Sequence, residues 1–105
     1  MHDINTIQEK EIVPGFHAKF VHSDNMTLGF WNIDADAIMP EHAHPHEQIV
    51  NIIEGRFELT VAGETRELGP GSSVILSPEM KHSGRALTRC RIIDAFYPVR
   101  EDYQD

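Results

Sequence analysis

Hydrophobic and polar residues alternate along short stretches of this chain, and turn residues separate the stretches. Over residues 56–61 the alternation is strict, so Phe57, Leu59 and Val61 share one face of an extended strand. Patterns of this kind predict strands over residues 16–21, 27–33, 37–39, 48–54, 56–61, 65–68, 73–76 and 90–97. None of these stretches is long enough for a typical helix, and the pattern therefore predicts an all-β fold.

Glycine and proline mark the ends of the predicted strands. Gly55 and Gly63 interrupt the alternation where a tight hairpin needs a residue that tolerates positive φ, and residues 69–71 (Gly-Pro-Gly) mark another turn. A meander of about eight short strands favours a jelly roll or a small barrel, which leaves few unpaired sheet edges. One short N-terminal helix or turn is predicted, and its candidate segment is residues 5–12 with Asn5 as the cap.

Length and composition fit one ordinary globular domain. A chain of 105 residues can enclose one hydrophobic core, and 40% hydrophobic with 25% charged residues is usual for a folded protein. We therefore expect a single domain over residues 1–105. The formal net charge of −8 disfavours nucleic acid and anionic membrane partners, and it means that an anionic substrate needs a local cation.

The first residues and the single cysteine bear on location. Residues 1–5 lack the basic and then apolar pattern of a secretory signal, and no apolar run approaches membrane-spanning length, so we expect a cytoplasmic protein. Cys90 is the only cysteine, which excludes an internal disulfide. It lies in a predicted strand, where a free cysteine usually serves as a small apolar packing residue.

The candidate chemistry lies between residues 40 and 48, where three of the seven histidines fall within five residues. In an extended chain His42, His44, His46 and Gln48 point to one side, which lets several donors converge on one ion. Imidazole nitrogen binds zinc, copper, iron and nickel well, and a neutral amide oxygen adds a ligand without reducing the charge of the ion. A solvated loop of histidines that binds no ion is the alternative for such a cluster.

Two spaced motifs make the predicted metal site more specific. The pattern His42-x-His44-x-x-x-Gln48, followed after six residues by a glycine, resembles the first cupin motif, with glutamine where glutamate is usual. Residues 71–82 run from a glycine to His82 and resemble the second cupin motif at the expected spacing. The chain therefore resembles a small cupin.

The cupin resemblance implies a double-stranded β-helix, a jelly-roll barrel whose core covers about residues 27–97. It also implies four ligands for one divalent transition metal ion (Zn, Ni, Mn, Fe or Cu): His42, His44, Gln48 and His82. The motif gives no ligand role to His46, and we expect it to support the site from beside the ligands. We expect no role for His2, His17 or His22, which lie outside both motifs.

Residues 92–103, together with residues 44–48, resemble the pectin-degradation cupins of the KdgF type, which linearise 4,5-unsaturated uronates. This resemblance implies an acid or base at Asp94, an aromatic wall at Phe96 and a carboxylate-binding cation at Arg100. If the strand face that carries Asp94 looks into the barrel, its carboxyl group lies within reach of the open positions of the ion. The structural alternatives are a turn cap at Asp94, a core residue at Phe96 and a surface ion pair of Arg100 with Glu101 or Asp102.

The resemblance implies a metal-dependent isomerase that acts on a small anionic sugar, opening the ring of unsaturated monouronates from pectin or alginate breakdown. The sequence leaves two other functions open: a cupin dioxygenase that uses Fe or Cu on a small aromatic or diketone substrate, and a non-catalytic metal-containing sugar-binding cupin. Apolar residues on both parities of residues 48–53 indicate that each sheet face is covered, so we expect a homodimer.

Overall fold

The chain folds almost entirely into β-strands. The computed structural model describes residues 1–104, in which two short 3-10 turns, Ile4–Thr6 and Glu101–Tyr103, accompany ten strands. The strands are β1 (Lys10–Val13), β2 (Phe16–His22), β3 (Thr27–Ile33), β4 (Ile38–His42), β5 (Glu47–Glu54), β6 (Phe57–Val61), β7 (Glu64–Leu68), β8 (Ser73–Leu76), β9 (His82–Ala86) and β10 (Cys90–Tyr97). Within these residues no helix is long and apolar enough to cross a membrane.

Two antiparallel sheets form the barrel. One sheet has six strands in the order β1-β2-β3-β10-β5-β8, and the other has four strands in the order β4-β9-β6-β7. From β3 onward the chain changes sheet at every connection except the one between β6 and β7. This is the arrangement of a jelly roll. The predicted all-β jelly-roll fold is confirmed.

Alternating burial along β3 and β10 directs one side of each strand into the barrel. The buried positions of the two strands are Thr27, Gly29, Trp31, Ile33, Cys90, Ile92, Asp94 and Phe96. The two strands pair directly, with Asp94 opposite Gly29 and Phe96 opposite Thr27. A carboxyl group therefore lies inside a barrel whose core side chains are mostly apolar.

Aromatic side chains fill the barrel around these positions. The Trp31 ring makes edge-to-face contacts with Phe16 and Phe20, at centroid distances of 6.0 and 5.8 Å. Phe57 packs on Phe16 at 6.3 Å, and its ring fills the space beside Gly84. A Cβ atom at Gly84 would overlap the Phe57 ring, so the aromatic packing requires glycine at this position.

Cys90 is fully buried in this core. Burial raises the pKa of its thiol, which keeps the sulfur protonated and weakly reactive. The environment is that of the packing residue expected from the sequence.

Of the short helix or turn predicted over residues 5–12, the helix is wrong and a turn is present. The chain forms only the turn Ile4–Thr6, where Asp3 Oδ1 accepts a hydrogen bond from the backbone N–H of Asn5, and then continues into β1. β1 adds to the edge of the six-stranded sheet beside β2. Backbone hydrogen bonds to β2 outweigh the weak local preference of this segment for a helix.

The sequence pattern also fails to predict β9, which lies between β4 and β6. The buried positions of β9 are His82, Gly84 and Ala86, which are not apolar residues with a strong preference for strands. The strand forms because it has a partner on each side: His82 pairs with His42 on β4 and with Val61 on β6. This pairing brings His82 to the other histidines.

Candidate functional site

Three imidazoles meet at one end of the barrel. His42 ends β4, which continues beyond its predicted end at residue 39, while His82 begins β9 and His44 lies in the loop before β5. One ligating nitrogen from each of the three side chains lies within 4.8 Å of the others. Two nitrogens on opposite sides of one ion, each at about 2.1 Å from it, lie about 4.2 Å apart, so this spacing is close to that of ligands to one ion. The ring centroid of His82 is 4.2 Å from that of His42 and 5.1 Å from that of His44.

Gln48 joins the cluster from β5. Its buried side chain places Oε1 3.1 Å from His44 Nε2, and its Nε2 donates a hydrogen bond to Asp94 Oδ2 at 3.0 Å. The ionised form of Asp94 only accepts hydrogen bonds, so in that form the bond orients the Gln48 amide with its nitrogen toward the carboxylate. The oxygen, which is the end of an amide that binds metals, faces the imidazoles.

Backbone carbonyl groups hold two imidazoles in the tautomer that a metal needs. Nδ1 of His42 lies 2.8 Å from Pro40 O, and Nδ1 of His82 lies 2.8 Å from Met80 O. Since a carbonyl oxygen only accepts, each Nδ1 carries the proton and each Nε2 keeps its lone pair. His82 Nε2 is buried and has no hydrogen-bond partner among residues 1–104. The lone pair of His82 Nε2 is therefore available to bind a metal ion.

Burial favours the neutral form of the imidazoles. Desolvation and then the charge of Arg100 lower the pKa of His44 to about 4. Desolvation also lowers the pKa of His82 and that of His46. Neutral imidazole is the form that binds metals, so protons compete weakly for the site at neutral pH. Three imidazoles and one amide oxygen fit a divalent transition metal ion.

Asp94 is a buried carboxyl group beside this cluster. Its Oδ2 is held by Gln48, whereas its Oδ1 is buried without a hydrogen-bond partner among the described side chains. Trp31 Nε1 is also unpaired but lies near enough to lower the pKa of Asp94 slightly. Burial has the larger effect and raises the pKa of Asp94 to about 7. A carboxyl group with such a pKa can accept and release protons near neutrality.

Arg100 is buried at the same end of the barrel, with 5% of its surface exposed. Its guanidinium carbon lies 4.7 Å from the ring centroid of Phe96 and 4.0 Å from that of Tyr103. Nε and Nη2 donate hydrogen bonds to the two carboxylate oxygens of Asp102, at 3.0 and 2.8 Å. The pairing with Asp102 considered from the sequence is present, but the guanidinium group is not at the surface.

One cavity connects these groups. Its interior measures about 60 Å³, and its wall includes His42, Gln48, His82, Asp94, Phe96 and Arg100. This volume is enough to hold ordered water molecules.

His46 lies beside the imidazole cluster. Its side chain is buried, and its ring centroid is 5.2 Å from that of His44 and 6.4 Å from that of Phe96. The group of converging nitrogens consists of His42, His44 and His82 in the part of the chain described, without His46. A supporting role for His46 beside the ligands stays a prediction.

Sequence reasoning assigns no role to Trp31 and Tyr103, which both lie in the cavity wall. The alternation of β3 predicts Trp31 only as core. For Tyr103 the available signal is a lone aromatic residue in a polar and acidic tail, next to Glu101 and Asp102. An aromatic residue in such surroundings has no core of its own and packs where the tail meets the barrel.

Comparison with known proteins agrees with this geometry. Residues 29–96 match the Cupin domain family. KdgF from a Halomonas species matches with a TM-score of 0.87 and 29% identity, over 92% of this chain and 91% of that protein. An RmlC-like cupin from Shewanella frigidimarina matches with a TM-score of 0.93 and 26% identity, over 99% and 95% of the two chains. The predicted resemblance to small KdgF-type cupins is confirmed.

One curated relative carries the name of an enzyme. H2HPP isomerase from Bacillus subtilis is 25% identical over 100 residues, which cover 92% of this chain but 42% of the isomerase. The family match extends over more than half of the residues and includes Gln48 and His82. This protein therefore belongs to the cupin family.

Proposed function

We propose that this cupin is a metal-dependent enzyme that opens the ring of 4,5-unsaturated monouronates. The observation that carries the proposal is that a buried carboxyl group, Asp94, and a buried guanidinium group, Arg100, line one cavity with His42 and His82. Burying ionisable groups in an apolar barrel is costly, and groups of this kind cluster at functional sites. The likeness to KdgF at 29% identity supports the choice of substrate class.

The reaction is an isomerisation that needs no co-reactant. The bond between the anomeric carbon and the ring oxygen breaks, and the anomeric hydroxyl group loses its proton as its oxygen becomes that of an aldehyde. The former ring oxygen becomes the oxygen of a ketone as C4 gains a proton. One proton is therefore removed and one is delivered. A divalent ion, when bound, supplies a Lewis acid that polarises a substrate oxygen.

Asp94 is suited to move these protons. Because its pKa is about 7, the neutral and charged carboxyl groups are both well populated at neutral pH. The hydrogen bond from Gln48 engages Oδ2 and leaves Oδ1 without a partner. We assign proton transfer to Oδ1.

Arg100 is suited to bind the uronate carboxylate. Asp102 engages the Nε–Nη2 edge of the guanidinium group, so the Nη1 end is the part that can meet a ligand. The rings of Phe96 and Tyr103 hold the guanidinium plane. A positive group at this point offsets the net charge of −8 that otherwise repels an anionic sugar.

Purified protein loaded with metal is expected to accelerate the loss of ultraviolet absorbance of the monouronate produced by a pectin or alginate lyase. Arg100→Lys should raise KM about tenfold with a smaller change in kcat. A guanidinium group can donate two parallel hydrogen bonds to the substrate carboxylate, and a lysine ammonium cannot. A rate equal to that in buffer, with the metal shown to be bound, contradicts the proposal.

The same preparation separates the other two functions. Oxygen consumption with small phenols or diketones would indicate a dioxygenase. Uronate binding without turnover would indicate a sugar-binding cupin.

We also propose that two copies of the chain pair through the outer face of the six-stranded sheet. Leu28, Ala95, Ile49 and Ile75 are successive partners across β3, β10, β5 and β8. Leu28, Ile49 and Ile75 are 38%, 37% and 67% exposed. A continuous apolar row in water is unfavourable, and the same row of a second copy covers it under two-fold symmetry.

Light scattering is expected to give a mass of about twice 11.9 kDa for the wild-type protein. Ile49→Lys should give the mass of one chain, because it places a charge in the middle of the apolar row. Ile38→Lys is the matched control, since Ile38 is 59% exposed on β4 of the other sheet, and this variant should keep the wild-type mass. A wild-type protein with the mass of one chain would contradict the pairing.

A further inference from the structure

We infer that the hydroxyl group of Tyr103 contacts the substrate, donating a hydrogen bond to the carboxylate of a sugar acid bound in the cavity; the inference rests on the proposed function. Tyr103 follows the last strand and lies beyond residues 29–96, the part that matches the cupin family. Its side chain forms part of the cavity wall together with Asp94 and Arg100.

The faces of the Tyr103 ring are occupied. Phe20 stacks on the ring at a centroid distance of 4.5 Å with 23° between the planes, and the guanidinium carbon of Arg100 lies 4.0 Å from the ring centroid. Two groups at these distances cannot share one face, so they cover opposite faces. Edge-to-face contacts with Trp31 and Phe96 surround the ring further, at 6.3 and 6.2 Å. The ring cannot stack on a sugar, and the hydroxyl group is what it offers to the cavity.

The surroundings of this hydroxyl group are those of a hydrogen-bond donor to an anion. Burial raises the pKa of Tyr103, so the phenol keeps its proton. The positive charge of Arg100 and the approach of its N–H groups to the phenol oxygen lower this pKa, whereas the negative charges of Asp102 and then Asp94 raise it. An N–H group of Arg100 at the phenol oxygen leaves the O–H proton available to a ligand. A carboxylate that meets Arg100 therefore also comes close to the phenol.

Two hydrogen bonds fix the segment that carries Tyr103 to the barrel. Thr27 Oγ1 accepts a hydrogen bond from the backbone N–H of Arg100 at 2.9 Å, and Lys10 Nζ donates one to the carbonyl oxygen of Tyr103 at 3.2 Å. Thr27 is fully buried, so the first of these anchors belongs to the barrel interior. The phenol is held in place before a ligand arrives, which lowers the entropy lost on binding.

Tyr103→Phe removes the hydroxyl group and keeps the ring between Phe20 and Arg100. In the metal-loaded protein we expect KM for the unsaturated monouronate to rise about tenfold, and kcat to change by less than about twofold. The Kd of galacturonate, a saturated sugar acid, should rise by the same factor, and it can be followed by the fluorescence of Trp31, the only tryptophan, which contacts Tyr103. The methyl ester of galacturonate should bind equally to both proteins, because its carboxylate charge is absent.

Tyr97→Phe is the matched control, since Tyr97 is the other tyrosine and is 56% exposed. It should leave KM, kcat and Kd unchanged. An equal loss of affinity in the two variants, or a lower melting temperature of Tyr103→Phe with unchanged KM and Kd, would overturn the inference.

The outcomes distinguish this inference from the proposed function. If the wild-type protein does not linearise the uronate but binds galacturonate more tightly than Tyr103→Phe, the proposed function fails and the role of the hydroxyl group stands. If the wild-type protein linearises the uronate and Tyr103→Phe has the same KM and Kd, the inference alone fails. A metal-loaded wild-type protein that binds no sugar acid overturns both.

Discussion

The Asp94→Asn protein is expected to keep its metal in full stoichiometry and to linearise unsaturated monouronates at least about a hundredfold more slowly than the wild-type protein. Asparagine has nearly the size of aspartate, and its amide oxygen can accept the hydrogen bond that Gln48 donates to Asp94 Oδ2. Asparagine does not exchange protons at neutral pH. The loss should therefore appear in kcat, while KM changes little because Arg100 still binds the carboxylate.

The same substitution is expected to stabilise the metal-free protein above neutral pH. Burial raises the pKa of Asp94 from 3.8 to about 7 in the folded protein. Between these values the folded state binds a proton that the unfolded chain has lost, so the wild-type protein loses stability as the pH rises toward the folded-state pKa. Position 94 of the variant does not titrate. From about pH 5 to about pH 8 the difference in the free energy of unfolding should grow by about 3 kcal/mol in favour of the variant.

Urea unfolding with a chelator at both pH values measures this difference, and initial rates measure the loss of activity. Asp24→Asn is the control, because Asp24 is exposed, and it should show neither effect. Equal kcat values in Asp94→Asn and the wild-type protein would exclude Asp94 as the proton carrier. A stability difference that does not depend on pH would contradict the raised pKa.

Removal of one imidazole is expected to have the largest effect on metal binding. His82→Ala should weaken the affinity for Zn²⁺ or Ni²⁺ by more than about a hundredfold, because four ligands share a binding free energy of about 12 kcal/mol and one ligand contributes about 3 kcal/mol. The atom that is lost is the buried Nε2 that has no partner among the described residues. Isothermal titration of the metal-free protein measures the change.

His46→Ala is the matched control for this experiment. It also removes a buried imidazole, 5.2 Å from the ring of His44, but one outside the group of converging nitrogens. We expect it to lose less than about tenfold in affinity and to keep the metal stoichiometry. Unchanged affinity in His82→Ala, with circular dichroism showing that both variants are folded, would contradict the metal centre.

The all-β fold and the meeting of the imidazoles could be predicted because their signals are local. The strict alternation in β6 reports the two-residue period of a strand wherever its partners lie. The spacing of His42 and His44, and the distance from the glycine of the second motif to His82, reflect turn lengths that a barrel of this type needs. The resemblance of these two motifs to those of cupins therefore carried the prediction that His82 meets His42 and His44, which lie far from it in the sequence.

The missed features depend on neighbours that a linear reading does not show. β9 contains few strand-forming apolar residues and exists because β4 and β6 flank it. β1 lies in a segment that reads as a short helix and becomes a strand only at the edge of β2. From the sequence, a surface ion pair with Asp102 was an equally good interpretation of Arg100. In the structure the ion pair is present, but the rings of Phe96 and Tyr103 cover the guanidinium group and bury it.

The two halves of the site are attached to the molecule in different ways. His42 and His82 lie opposite each other in paired strands, whereas Arg100 and Tyr103 belong to residues 98–104, which the backbone N–H of Arg100 and the side chain of Lys10 tie to the barrel. We expect that residues 98–104 can be exchanged for the matching segment of another cupin without rebuilding the strands that carry His42 and His82. An ancestor with this architecture can therefore acquire a new ligand preference by replacing a short tail, and a protein engineer can use the same route through chimeric chains.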